Sequence, residues 1–174
     1  MQSIMRIVGT GDINIFLYLN HNMQCRPLDK LMPLGTFLGG STFTVIISLF
    51  LMLFGKGEVR FAAAYGSIAL AASFVTGFFL KKLLGRPRPY MAIPSIHKKG
   101  DKIWTDFSFP SGHTAAGFSL AINYAMFFPQ NAVPLAIAAV FVGVSRIYLG
   151  HHYPTDTLAG AIIGTLAAVT VHML

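Results

Sequence analysis

Between Phe107 and Ser145 the chain reads FSFPSGHTAAGFSLAINYAMFFPQNAVPLAIAAVFVGVS, with no formally charged residue apart from His113. A helix rising about 1.5 Å per residue needs ~20 such residues to cross a hydrocarbon core of ~30 Å. The run is about twice that length. Phe128-Pro129-Gln130-Asn131 interrupts it with a proline and two polar side chains, so it reads as two membrane-crossing helices joined by a tight turn.

Working outward, Leu31 to Phe54 and Phe61 to Leu80 are further uncharged runs of spanning length, and Thr157 to Leu174 is the last. The last is slightly short and is expected to borrow the turn before it. Asp12 to Asn20 is apolar but short and begins with polar residues, which suggests an interfacial helix, with a sixth span as the alternative. The expected fold is all-α: a polytopic transmembrane helical bundle of five or six spans, with residues 1–174 as one membrane-embedded domain and an active site at one membrane face. Met1 to Asn20 carries one basic residue, a broken apolar run and no convincing cleavage site, so no cleavable leader is expected.

Composition agrees. Of the residues, 54% are hydrophobic and 11% charged, against about 25% charged in soluble domains. The net charge of +7 could suggest nucleic acid, but more than half of the basic residues lie between Lys81 and Lys102, flanked by apolar runs. A cationic patch beside a bilayer suits an anionic lipid head group and not DNA. The single cysteine, Cys25, excludes an intrachain disulfide framework and a cysteine metal cage. Gly35 with Gly39, and Gly160 with Gly164, have the spacing that lets helices pack closely.

Counting crossings places the polar groups. With Lys30 on one face, the loop Gly55 to Arg60 lies on the other. Lys81 to His113 then returns to the first face, Pro129 to Ala132 is opposite, and His151 to Asp156 is on the first face again. Lys56 and Arg60 favour a cytoplasmic loop, which puts the polar face outside. Lys81, Lys82, Arg86, Arg88, Lys98, Lys99 and Lys102 then run against the positive-inside tendency, a conflict that eases if several of them bind phosphate.

Three clusters converge there. Lys81-Lys82-Leu83-Leu84-Gly85-Arg86-Pro87-Arg88-Pro89 ends a span. It reads either as interface anchors or as an anion site, with the prolines extending the chain and arginine offering a planar fork to phosphate. Phe109-Pro110-Ser111-Gly112-His113-Thr114 precedes a helix. There free N–H groups attract anions, Gly112 permits close approach, Ser111 adds a hydroxyl donor and His113 sits at the rim. In Ser145-Arg146-Ile147-Tyr148-Leu149-Gly150-His151-His152-Tyr153-Pro154-Thr155-Asp156, a buried Arg146 needs a partner. His152 and Asp156 are four apart, so on a helical turn they face each other. A carboxylate on one ring nitrogen frees the other to attack. The spacing matches no common zinc pattern.

Together, Lys-x6-Arg-Pro, Pro-Ser-Gly-His and Ser-Arg-x5-His-x3-Asp resemble the motifs of the type-2 phosphatidic acid phosphatase superfamily, which shares its core with vanadium haloperoxidases and bacterial acid phosphatases. The matching residues are Lys81, Arg88 and Pro89; Pro110 to His113; and Ser145, Arg146, His152 and Asp156. Lys82, Arg86 and His151 fall outside the signature. The resemblance implies a catalytic set in which His152 forms a phosphohistidine, Asp156 orients it and His113 protonates the leaving oxygen. It implies a phosphate-binding set of Lys81, Arg88, Ser111, Gly112 and Arg146, with no metal and no cofactor. The implied partners are the bilayer and an anionic lipid, and the implied location is a bacterial inner membrane with the site extracytoplasmic. Small relatives act on undecaprenyl diphosphate, phosphatidylglycerophosphate, phosphatidate or lipid A phosphates, of which undecaprenyl diphosphate is expected here. A lipid phosphotransferase and a non-catalytic lipid-binding protein are the alternatives. The loop Tyr90 to Asp106, with Trp104 as an interface anchor, is expected to set head-group preference.

Overall fold

The computed structural model describes residues 9–93, 96 and 105–174, and the regular elements among them are all helical. They are α1 (Thr10–Leu17), α2 (Arg26–Leu38), α3 (Ser41–Phe54), α4 (Glu58–Leu84), the short α5 (Pro89–Ala92), α6 (Gly112–Phe127), α7 (Ala132–Tyr148) and α8 (Pro154–His172). The expected turn between the two halves of the uncharged run is present, with Pro129–Asn131 forming a single 3-10 turn between α6 and α7.

Helix α6 is the central post and packs against α3, α4, α7 and α8. The interior is built largely from small residues, among them Ala62, Ala63, Ala69, Ala115, Ala139 and Ala168, all buried. Phe54, Phe61, Phe74, Phe79, Val133 and Ile137 instead point outward and are 64% to 70% exposed. That inversion suits a bundle surrounded by hydrocarbon, where close backbone approach holds helices together and large apolar groups lose nothing by facing out.

The glycine pairs make the seams. A Cβ on Gly164 would lie 2.2 Å from the Ala115 carbonyl oxygen, and one on Gly160 would lie 2.5 Å from that of Ser111. Helix α8 therefore touches the backbone of α6 directly, along the turn that carries Gly112 and His113. On another side, a Cβ on Gly39 would come within 2.8 Å of the His113 carbonyl oxygen.

Three expectations change. The run Leu31 to Phe54 is not one straight span, because α2 and α3 bend by 52° across Gly39 and Gly40, where the chain passes the His113 backbone. Helix α1 has 8 residues and is continued by the π-helical turn Tyr18–Asn22 of 5 residues, so the described part of this segment is shorter than the ~20 residues of a span. Among the described residues, three helical stretches are long and apolar enough to cross a membrane, Glu58–Ala92, Pro129–Tyr148 and Pro154–His172, and the bent α2–α3 pair makes up to four. Helix α6, the remaining expected span, has 16 residues. It is short because residues 107–111 of the uncharged run form the loop that leads into the site.

Candidate active site

The site is assembled from helix ends. Helix α4 runs past Leu80 to Leu84 and stops at Gly85, whose φ of 57° suits a residue without a Cβ. Lys81, in its last turn, donates to Asp106 Oδ2 at 2.7 Å and to the Phe107 carbonyl at 2.6 Å. Arg88 is 2% exposed. Its Nη2 donates to Asp106 Oδ1 at 2.6 Å, its Nε to the Asp106 carbonyl at 3.0 Å and its Nη1 to the His151 carbonyl at 3.2 Å. Burial would raise the Asp106 pKa, but Lys81 and Arg88 outweigh it and hold the carboxyl below its usual range.

The next wall is the start of α6. Gly112 and His113 face a cavity of about 660 Å³. Ser111 does not. It is fully buried, and its Oγ accepts from the Thr114 N–H at 3.4 Å and from the Thr114 hydroxyl at 2.9 Å. A serine before a helix can cap it or serve a ligand; here the oxygen accepts as the cap, which leaves the O–H proton uncommitted.

Arg146 closes α7 and is 1% exposed. Its Nη1 reaches Thr36 Oγ1 at 3.3 Å, its Nε has no hydrogen-bond partner, and among the described residues no carboxylate pairs with it. A buried guanidinium without a counterion is costly, and it borders the cavity.

His152 and Asp156 do not share a helical turn as the spacing suggests. Helix α8 begins at Pro154, so His152 precedes it, and Asp156 in its first turn accepts from the Tyr153 N–H at 2.9 Å. That cap folds Asp156 back toward His152. His152 Nδ1 lies 3.6 Å from Asp156 Oδ2 and 3.4 Å from Ser108 Oγ, while Nε2 lies 3.3 Å from Arg88 Nη1. Burial, then the charges of Arg146 and Arg88, push the His152 pKa well below 6.5. Both effects favour the neutral ring, and Asp156 stands behind it.

Of the eight residues marked in the sequence, Lys81, Arg88, Gly112, His113, Arg146 and His152 line one cavity. Asp156 backs His152 and Ser111 caps α6. Sequence reasoning passed over three participants. Asp106 pairs with both Lys81 and Arg88, Ser108 donates from its hydroxyl to Asp156 Oδ2, and Arg86 forms ion pairs with Asp156 and Asp12. Scarcity was the available signal: with only 6 acidic residues in the chain, each carboxylate near a cationic segment warranted a partner. Lys82, outside the signature, lies with its Nζ 4.3 Å from the centre of the Phe78 ring. Trp104 lies outside the described residues. Among the described residues, no three of His, Cys, Asp and Glu gather as a metal-binding group.

From the charged end the cavity continues between α3, α4 and α6, with Val45, Leu49, Leu70, Phe74 and Phe78 on its walls. One end thus offers cations and histidines, and the rest offers an apolar trough.

Known proteins are similar to this chain. The chain is 33% identical over 141 residues to undecaprenyl-diphosphatase BcrC of Bacillus subtilis, covering 80% of this chain and 70% of that protein. It is 30% identical over 154 residues to phosphatidylglycerophosphatase B of the same organism, covering 80% and 71%. The crystal structure of Aquifex aeolicus LpxE superposes with a TM-score of 0.81 at 26% identity, covering 93% of this chain and 94% of that one. A family model described as the PAP2 superfamily matches residues 61–174, from early in α4 to the last residue. The chain belongs to the PAP2 superfamily and is a membrane-embedded enzyme of its lipid-phosphatase kind.

Proposed function

We propose that the chain hydrolyses undecaprenyl diphosphate by way of a phosphohistidine on His152. The observation that carries the reading is the single cavity joining Lys81, Arg88, Arg146, His113 and His152 to an apolar trough between helices. A terminal phosphate fits the cationic end while a long hydrocarbon lies along the trough.

His152 Nε2 attacks the terminal phosphorus, and the bond from phosphorus to the bridging oxygen breaks. His113 gives that oxygen its proton as undecaprenyl phosphate departs. Water, deprotonated by His113, then attacks the phosphohistidine, the P–N bond breaks and inorganic phosphate leaves. Lys81, Arg88, Arg146 and the Gly112 N–H hold the three peripheral oxygens, and they count most where charge builds in the five-coordinate transition state. Ser111 serves by capping the turn that presents Gly112 and His113.

Phosphatidylglycerophosphate is the second reading, favoured by the likeness to phosphatidylglycerophosphatase B. Phosphate release from a panel of purified lipids in detergent decides between them, and the expected result is fastest turnover of undecaprenyl diphosphate. Adding an acceptor lipid distinguishes hydrolysis from phosphotransfer. A slow rate on every prenyl diphosphate, with fast release from phosphatidylglycerophosphate, overturns the first reading.

The same reading puts the site outside a bacterial inner membrane. Cys25 is exposed, and its N–H donates to the Tyr148 hydroxyl at 3.3 Å, at the site end of α7. An impermeant maleimide applied to intact cells should label native Cys25 and spare Gly57→Cys in a Cys25→Ser background. The opposite pattern inverts the orientation.

A further inference from the structure

Asp12 and Arg86 are signature positions of none of the motifs above, yet both are buried and both lead to Asp156. Arg86 is held between two carboxylates: Nη2 donates to Asp12 Oδ2, and Nη1 donates to Asp156 Oδ1 at 2.6 Å. Thr155 closes the ring. Its Oγ1 accepts from Arg86 Nη1 at 2.6 Å and donates to Asp12 Oδ2 at 2.5 Å, and its N–H donates to Asp12 Oδ1 at 2.9 Å. The guanidinium carbon lies 4.4 Å from the centre of the Tyr153 ring, and Phe16, on the same helix as Asp12, packs against that ring at 5.6 Å.

This ring sets one end of the Asp156 carboxylate. Arg86 takes Oδ1, while Ser108 Oγ and the Tyr153 N–H take Oδ2, the oxygen that faces His152 Nδ1. A planar guanidinium serves two carboxylates only while both stay near its plane. Without Asp12, one arm of Arg86 is left unpaired in a buried place, and the Asp156 carboxylate keeps its firm hold only on Oδ2, so its plane can tilt relative to His152.

We propose that Asp12 is a positioning residue for the reaction: by holding Arg86 it fixes the carboxylate of Asp156. Helix α1, which precedes all three motifs, is thereby part of the apparatus that orients His152. The inference rests on the reading of Asp156 as the partner of His152.

The test compares Asp12→Asn, Arg86→Lys and their double variant in the full-length detergent-purified enzyme. Asp156→Asn serves as a control on the underlying reading, and active sites are counted by the phosphoenzyme burst. Lysine supplies a point charge and cannot fork to two carboxylates. Each single variant should lower kcat per active site about 10- to 100-fold, the scale of a small misplacement of a reacting group, with KM within about twofold. The double variant should lose no more than the worse single variant, because both act through one contact. A purely structural role would lower the number of active sites and leave kcat per site intact. That result, or losses that multiply in the double variant, overturns the proposal. If Asp12→Asn does not fold, Thr155→Val removes one hydroxyl of the same ring. It should lower kcat about fivefold, the scale of one hydrogen bond, and an unchanged kcat counts against the proposal. Full activity in Asp156→Asn would instead overturn the reading beneath it.

Discussion

Two clusters of cations and carboxylates flank His152, one behind it and one in front. Behind it, Arg86 is balanced by Asp12 and Asp156, with side chains between 0% and 6% exposed. In front, Lys81 and Arg88 share Asp106, whose side chain is 47% exposed, and among the described residues no carboxylate pairs with Arg146. The rear cluster holds more negative than positive charge, and both Nη atoms of Arg86 are paired inside the protein, although its Nε is not. Among the described residues the front cluster has surplus positive charge, and its one carboxylate is about half exposed. The difference separates a frame from a receptor. Charges that must stay put are neutralised from within, and charges that must receive a phosphate are left partly unmet.

The residue between the clusters should show the largest effect. His152→Ala should reduce turnover by at least about 10⁴-fold, as removal of a covalent nucleophile does elsewhere, with the protein still eluting as a folded species. Residual activity of a few per cent would remove His152 from that role. Rapid-quench trapping of an acid-labile phosphoenzyme in the wild type, absent from the variant, is the accompanying check.

Arg146→Met and Arg86→Met put the comparison at risk directly. Losing a transition-state donor costs about 10²–10³ in rate, so Arg146→Met should be nearly inactive. Its thermal midpoint should not fall, because the substitution removes a buried charge that lacks a counterion. Arg86→Met should lose activity and stability together, since it strands two buried carboxylates, at a cost of about 3–5 kcal/mol. Equal thermal shifts in the two variants would mean that the clusters do not differ as described.

A milder change tests the front cluster alone. Asp106 occupies the donors of Lys81 and Arg88 that a phosphate would need. Asp106→Asn should therefore tighten inhibition by orthovanadate and by phosphate, about threefold to tenfold if ~1 kcal/mol of competition is removed. Weaker inhibition would show that Asp106 orients the two cations and does not compete for them.

The smallest expected effect lies in the pH profile. In the proposed mechanism neutral His152 is the reactive form, and burial together with Arg146 and Arg88 lowers its pKa. A lowered pKa keeps the nucleophile available in more acid solution, so the acid limb of kcat/KM should lie below 6.5. Arg88→Gln removes one of those charges, and its residual activity should show the limb moved toward neutral pH. An unmoved limb would assign it to the substrate or to another group.

Much of the site was legible because its signals are local. Uncharged runs mark the helices, their ends mark the faces, and the parity of crossings brings Lys81, His113, Arg146 and His152 to one side before any contact is known. Motif spacing then selects Arg88 over Arg86 and His152 over His151. The roles of Ser111 and Arg86 were not legible in the same way. A serine hydroxyl at a helix start serves a cap or a ligand equally well on paper, and only the fully buried seam between α6 and α8 turned this one inward.

Composition and spacing therefore carried the membrane fold and the shared face of the polar clusters, because hydropathy and helix geometry act over a few neighbouring turns, and the family resemblance selected the candidate residues among them. The Gly39–Gly40 bend, the cap that folds Asp156 toward His152, and the path from Asp12 through Arg86 to Asp156 depended on how the helices pack. Asp12 and Arg86 are 74 positions apart, and Arg86 and Asp156 are 70 apart. No local pattern links such residues. What joins them is burial itself, since a charge forced out of water must find its counterion in whatever part of the chain the packing brings within reach.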